Sequence, residues 1–89
     1  MVSKKLTIIN KLGLHARAAA KLVSLASTFD ADIRVEKDGK SVNGKSIMGV
    51  MMLAASQNTN ITITAEGNDE QTAIEKLEAL VADRFGEEA

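Results

Sequence analysis

The apolar residues of this chain recur at every second position in some stretches and at helical spacing in others, and the two kinds of stretch alternate. Nothing else in the sequence restricts the fold as much, because each periodic stretch has one apolar face that something must cover. Residues 5–10 alternate, with Leu6 and Ile8 on one side, and 11–15 read as a connection. From 16 to about 29 the period is helical. Arg17, Lys21, Ser24 and Thr28 share one stripe there, opposite Ala19, Leu22, Val23, Leu25, Ala26 and Phe29. Asp32–Lys37 alternates again, Asp38 and Gly39 tolerate the positive φ of a tight hairpin, and Lys40–Asn43 returns. Ser46 stands as N-cap of an apolar helix over 47–55, and Asn60–Glu66 is a fourth strand. Asn68 and Gln71 have capping-box spacing before a helix marked by Ala73, Ile74, Leu77, Leu80 and Val81, with Gly86 as its stop.

The order β-α-β-β-α-β-α predicts a single α+β domain over 1–89. The architecture is a two-layer open-faced sandwich, a four-stranded antiparallel sheet with three helices on one face. The other sheet face, with Arg34, Glu36, Thr62 and Thr64, is polar enough to meet water.

Composition removes several functions. There is no cysteine, hence no disulfide framework or thiolate metal site, and His15 is the only histidine, hence no imidazole cage. The carboxylates lack calcium-loop spacing, so neither a metal nor a cofactor is expected. No stretch is long enough to cross a bilayer, and residues 1–5 run into a strand and not into a signal core, which predicts a soluble cytoplasmic protein; nothing in the sequence sets its oligomeric state, and a monomer is the default expectation. With two Phe, no Trp or Tyr, and a pI near 5.8, a nucleic-acid partner is not expected. Charge is split along the chain: residues 1–45 hold nine Lys or Arg against four Asp or Glu, residues 46–89 two against eight. Arg17, Lys21 and Lys45 therefore lie in a basic half that an acidic partner or a phosphate could use.

His15 ends a loop directly before a helix that no Ser, Thr, Asp or Asn between 11 and 17 can cap. The first backbone N–H groups, those of Ala16, Arg17 and Ala18, are left for water, for the histidine or for an anion. A helix dipole disfavours imidazolium and so favours the nucleophilic neutral ring. Phosphoryl transfer needs little more than placement and donors aimed at the equatorial oxygens, which those amides and the Arg17 guanidinium can supply. From the residues alone, an incidental loop histidine and a phosphate-handling one both remain open.

Gly13-Leu14-His15-Ala16-Arg17 resembles the active-site signature of the HPr phosphocarriers of the bacterial sugar phosphotransferase system. The segment 44–53, Gly-Lys-Ser-Ile-Met-Gly-Val-Met-Met-Leu, is similar to that family's regulatory serine and following helix. The resemblance extends over the whole chain and its element order. It implies that His15 is phosphorylated on Nδ1 by Enzyme I, which draws on phosphoenolpyruvate, and passes the group to sugar-specific IIA domains. It also implies that Ser46 is phosphorylated by an HPr kinase/phosphorylase. One position departs: Ala18 stands where the family usually has proline, from which slightly altered rates and retained function are expected.

The helix over 47–55 is apolar nearly all round, more than a domain this small can bury. Val50 and Leu53 share the side assigned to the core. Ile47, Met48, Met51 and Met52 share the other, as a docking patch whose adaptable methionines suit several partners, although core filling stays open for Met48 or Met52. With Ala20, Lys21, Ser24 and Lys45 they make the predicted docking surface. A phosphate on Ser46 would add negative charge at a helix start, which the dipole accepts and an acidic partner does not. Three other readings compete: a carrier of a nitrogen-regulatory phosphorelay, a regulatory module acting through Ser46, and a free-standing enzyme. The last lacks an acid–base pair beside His15.

Overall fold

The computed structural model describes residues 1–89. Strands β1 (Val2–Thr7), β2 (Asp32–Lys37), β3 (Lys40–Asn43) and β4 (Asn60–Glu66) form one antiparallel sheet in the order β1-β4-β2-β3. Helices α1 (Ala16–Ala26), α2 (Ile47–Met52) and α3 (Glu70–Ala82) cover one face of it. The result is the open-faced α+β sandwich that the periodicities predict.

Register aligns the inward residues. Ile33 faces Ala65, Val35 faces both Ile63 and Val42, and Leu6 faces Ile61. Ile33, Val35, Ile61, Ile63 and Ala65 are buried beneath Ala19, Leu22 and Ala26 of α1, Val50 of α2, and Ala73, Ile74, Leu77 and Val81 of α3, within one cluster of 22 apolar residues. The outer face is polar and tied across strands, for example by Ser3 and Thr64, whose hydroxyls are 2.8 Å apart.

Element ends differ from the expectations for identifiable reasons. β1 covers Val2–Thr7 and not 5–10. Lys4 sits at an inward position, where it interrupts the apolar alternation, yet its ammonium reaches Glu78 on α3 at 3.1 Å. Pairing with β4 therefore continues back to Val2, while Ile8, just past the end of the strand, is buried and still exchanges backbone hydrogen bonds with Thr59 and Asn58. α1 stops at Ala26, because the N–H groups of Thr28 and Phe29 fold back onto Leu25 and Ala26 carbonyls in tighter turns. α2 stops at Met52, and the Lys37 ammonium donates to the Leu53 carbonyl beyond its end at 3.1 Å.

The expected capping box of Asn68 and Gln71 is not formed. Glu70 accepts the Gly67 N–H at 3.1 Å instead, and Asp69 accepts the N–H groups of Asp30 and Ala31, both at 2.9 Å, tying α3 to the turn before β2. Those bonds, the Asp30 amide first, hold the Asp69 carboxyl below its usual range.

Beyond α3 the chain does not simply stop at Gly86. Arg84, Phe85 and Gly86 take positive φ values of 54°, 55° and 79°, and this turn drives the fully buried Phe85 into the core. The segment that follows is thereby carried back over the β1–α1 connection.

Candidate functional site

The loop carrying His15 is held at two points before the histidine is reached. Leu14 is buried, and its N–H donates to the Ala55 carbonyl at 2.8 Å. Gly13 has φ +68°, and a Cβ there would lie 2.5 Å from the Ala55 oxygen, so only glycine allows this approach. Asn10, fully buried, donates its amide to the Gly13 carbonyl at 2.8 Å and closes the loop from inside.

His15 is the residue at the start of α1, and neither its side chain nor any other caps that helix, as the sequence predicts. The N–H groups of Ala16, Arg17 and Ala18 form no hydrogen bond within the chain. Ala16 and Arg17 are exposed, so their donors are open to an anion. Ala18 departs from expectation: it is fully buried, so an anion in solvent does not reach its N–H. The Arg17 guanidinium makes no hydrogen bond or ion pair within the chain and lines an open cleft with Lys11, Leu12, His15, Glu87 and Ala89.

Glu87 is the site residue that the sequence reading missed. Its Oε2 lies 2.5 Å from His15 Nε2, while its Oε1 accepts from Asn10 Nδ2 at 3.1 Å. The hydrogen bonds from His15 and then Asn10, with the charge of Arg17, hold the Glu87 carboxyl below its usual range against an opposing effect of burial. His15 Nδ1 makes no hydrogen bond. The ring is thus held by one nitrogen, with the other free. Seventy-two positions separate Glu87 from His15, and no local spacing announces the pair. The only hint was an acidic second half in a chain with a basic first half.

The predicted docking residues divide. Ile47, Met48, Met51 and Met52 are exposed, Met48 by 72%, while Val50 and Leu53 are buried, so α2 divides its apolar surface along the expected line. Ser24 is exposed and Ala20 half-buried on α1, which packs against α2. Two lysine head groups are not free. Lys45 donates to the Phe29 carbonyl and Lys21 to the Phe85 carbonyl, both at 2.7 Å, so each serves first as a tie within the fold.

Ser46 caps α2 as expected, its Oγ accepting the Gly49 N–H at 3.1 Å. Ser46→Ala should lower stability by about 1 kcal/mol, the usual worth of an N-cap, read as a shift of the urea midpoint at unchanged slope.

No group of His, Cys, Asp and Glu side chains in the chain could hold a metal ion. No helix is long and apolar enough to cross a membrane.

A family model described as the PTS HPr component phosphorylation site matches residues 2–83. The phosphocarrier protein HPr of Cupriavidus necator is 53% identical over 87 residues, which cover 98% of each chain. The crystal structure of HPr-C-His from Thermoanaerobacter tengcongensis superposes with a TM-score of 0.97 at 50% identity and covers the whole of both chains. A structure described as an HPr dimer from the same organism gives a TM-score of 0.79 at 50% identity, covering 98% of this chain and 100% of that one.

Proposed function

The chain belongs to the HPr family, the phosphocarriers of the phosphotransferase system, and on that premise we propose that His15 Nδ1 takes a phosphoryl group from phospho-Enzyme I and passes it to the IIA domain of a sugar permease. The observation behind this reading is an imidazole with an unbonded Nδ1, set before two open helix-start amides and beside an unpaired arginine. The Nδ1 lone pair attacks phosphorus, and the bond to the donor's leaving group breaks, its electron pair going to the donor. Ala16 and Arg17 amides and the Arg17 guanidinium meet the charge on the equatorial oxygens. Transfer to the acceptor is the same step run outward. The partners complete the chemistry, so the chain is a substrate of both and not a free-standing enzyme. It needs no cofactor of its own and works as a cytoplasmic monomer.

Ser46 is the second modification site in this reading. A phosphate placed there by an HPr kinase/phosphorylase adds about −1.5 to −2 charge beside the exposed methionines. The start of α2 accommodates it, whereas an acidic docking face is repelled, which lowers traffic through His15.

The test is intact-mass analysis after incubation with Enzyme I, magnesium and phosphoenolpyruvate. One added phosphate that is lost in acid supports the carrier role, since a serine phosphate survives that treatment. No phosphate, with the same Enzyme I active on another carrier, overturns it and leaves a Ser46-centred module or a different phosphorelay. The docking surface has its own check. Met48→Ala with Met51→Ala should raise the KM of Enzyme I for this carrier about tenfold, equivalent to about 1.4 kcal/mol of lost contact. Both side chains are exposed, so stability should change by no more than about 1 kcal/mol in total.

A further inference from the structure

The function proposed above needs a neutral imidazole whose lone pair is on Nδ1 and not on Nε2, and nothing in the helix start chooses between the two nitrogens. Glu87 does. An ionised carboxylate can only accept hydrogen bonds, so the proton between Glu87 Oε2 and His15 Nε2 belongs to the ring. With Nε2 protonated, the neutral ring has its lone pair on Nδ1, the nitrogen that makes no other bond.

The carboxylate is itself fixed in place. Asn10 donates from the same amide nitrogen to Gly13 and to Glu87, both of them acceptors, so the orientation of that amide is determined. The backbone around Glu87 is anchored by buried Phe85, by the Lys21 ammonium on the Phe85 carbonyl, and by the Lys11 N–H on the Ala89 carbonyl at 3.1 Å. The Glu87 side chain is 15% exposed and that of His15 28%, which shields the contact from most of the solvent.

We infer that Glu87 is a positioning residue for phosphoryl transfer: by holding Nε2–H it fixes the ring and directs the incoming phosphoryl group to Nδ1. This inference rests on the carrier role of His15. As the Nδ1–P bond forms, the ring gains positive charge and no proton leaves it. The carboxylate on Nε2 lies where that charge develops, so it stabilises the product as well as selecting the nucleophile. Arg17 and Lys11 line the same cleft, and neither side chain pairs with Glu87, so both remain free for the phosphoryl oxygens.

Glu87→Gln is the discriminating variant because it keeps the shape. Asn10 requires the amide oxygen, so the amide NH2 of the variant faces Nε2 and donates to it, and the ring answers with its proton on Nδ1. The expected result is a fall in kcat for phosphorylation by Enzyme I of at least about tenfold, with KM unchanged because docking is untouched. Ring 15N spectra of the neutral imidazole should show a protonated Nε2 in the unaltered protein and a protonated Nδ1 in the variant. Glu87→Ala should lose the ring N–H signal and fall between the two in rate. A proton on Nδ1 in the unaltered protein overturns the inference without any variant, and so does an unchanged kcat in Glu87→Gln. If the unaltered protein takes up no phosphate at all, it is the carrier role that fails.

Discussion

His15→Ala should take up no acid-labile phosphate from Enzyme I, while its melting temperature should stay within a few degrees of the parent. No other side chain combines a nitrogen nucleophile with the start of a helix, since the chain has a single histidine. The structural loss is small for reasons visible in the loop. His15 makes no cap on α1, and the connection is held by Leu14 on Ala55 and by Gly13 against the same carbonyl, neither of which involves the ring. Only the contact to Glu87 disappears, leaving a partly exposed carboxylate that water can solvate. Intact mass before and after acid reads the first half of the result, and a thermal melt the second. Phosphate on Ser46 should be unaffected, because the Ser46 cap and the His15 loop share no hydrogen bond.

Phe85→Ala should have the largest effect on stability, about 3–5 kcal/mol, the range for emptying a buried aromatic site. The ring is fully buried, and its burial holds two non-glycine residues, Arg84 and Phe85, in left-handed backbone that costs roughly 1–2 kcal/mol each. Without the ring, only hydrogen bonds such as those of Lys21 to the Phe85 carbonyl and of the Lys11 N–H to the Ala89 carbonyl oppose that cost, and the segment from Arg84 onward should detach. The second consequence is chemical: Glu87 leaves Nε2, so phosphorylation slows as it does in Glu87→Ala. Urea titration measures the first effect. Hydrogen exchange over residues 84–89 measures the detachment, which full protection there in the variant would contradict, and the rate of phosphorylation by Enzyme I measures the second.

Much of this architecture could be read from the chain because the signals are local. The stripe on α1, the Asp38-Gly39 hairpin, the Ser46 cap and the split face of α2 each depend on residues within a few positions of one another. What was misread depends on distant partners. The start of β1 is hidden because Lys4 occupies an inward position and escapes along its own stem to Glu78, 74 residues on. Asn68 resembles the α3 cap because nothing nearby shows that Asp69 is engaged by Asp30 and Ala31. The same limit hid half of the candidate site. The uncapped helix and the Arg17 beside His15 are sequence neighbours, whereas Glu87 meets the ring, and Asn10 meets Glu87, only once α3 has returned the chain to β1.

The polar outer face of the sheet has a practical consequence. Every residue proposed to touch a partner or a phosphate belongs to the helices or their connections, and none points from the open side of the strands. With no cysteine anywhere in the chain, a single thiol introduced at exposed Glu36 would be a unique chemical handle. Molecules fastened to a sensor surface through it would all face outward with His15, Ser46 and the methionines free, so encounters with each partner could be timed on one immobilised population.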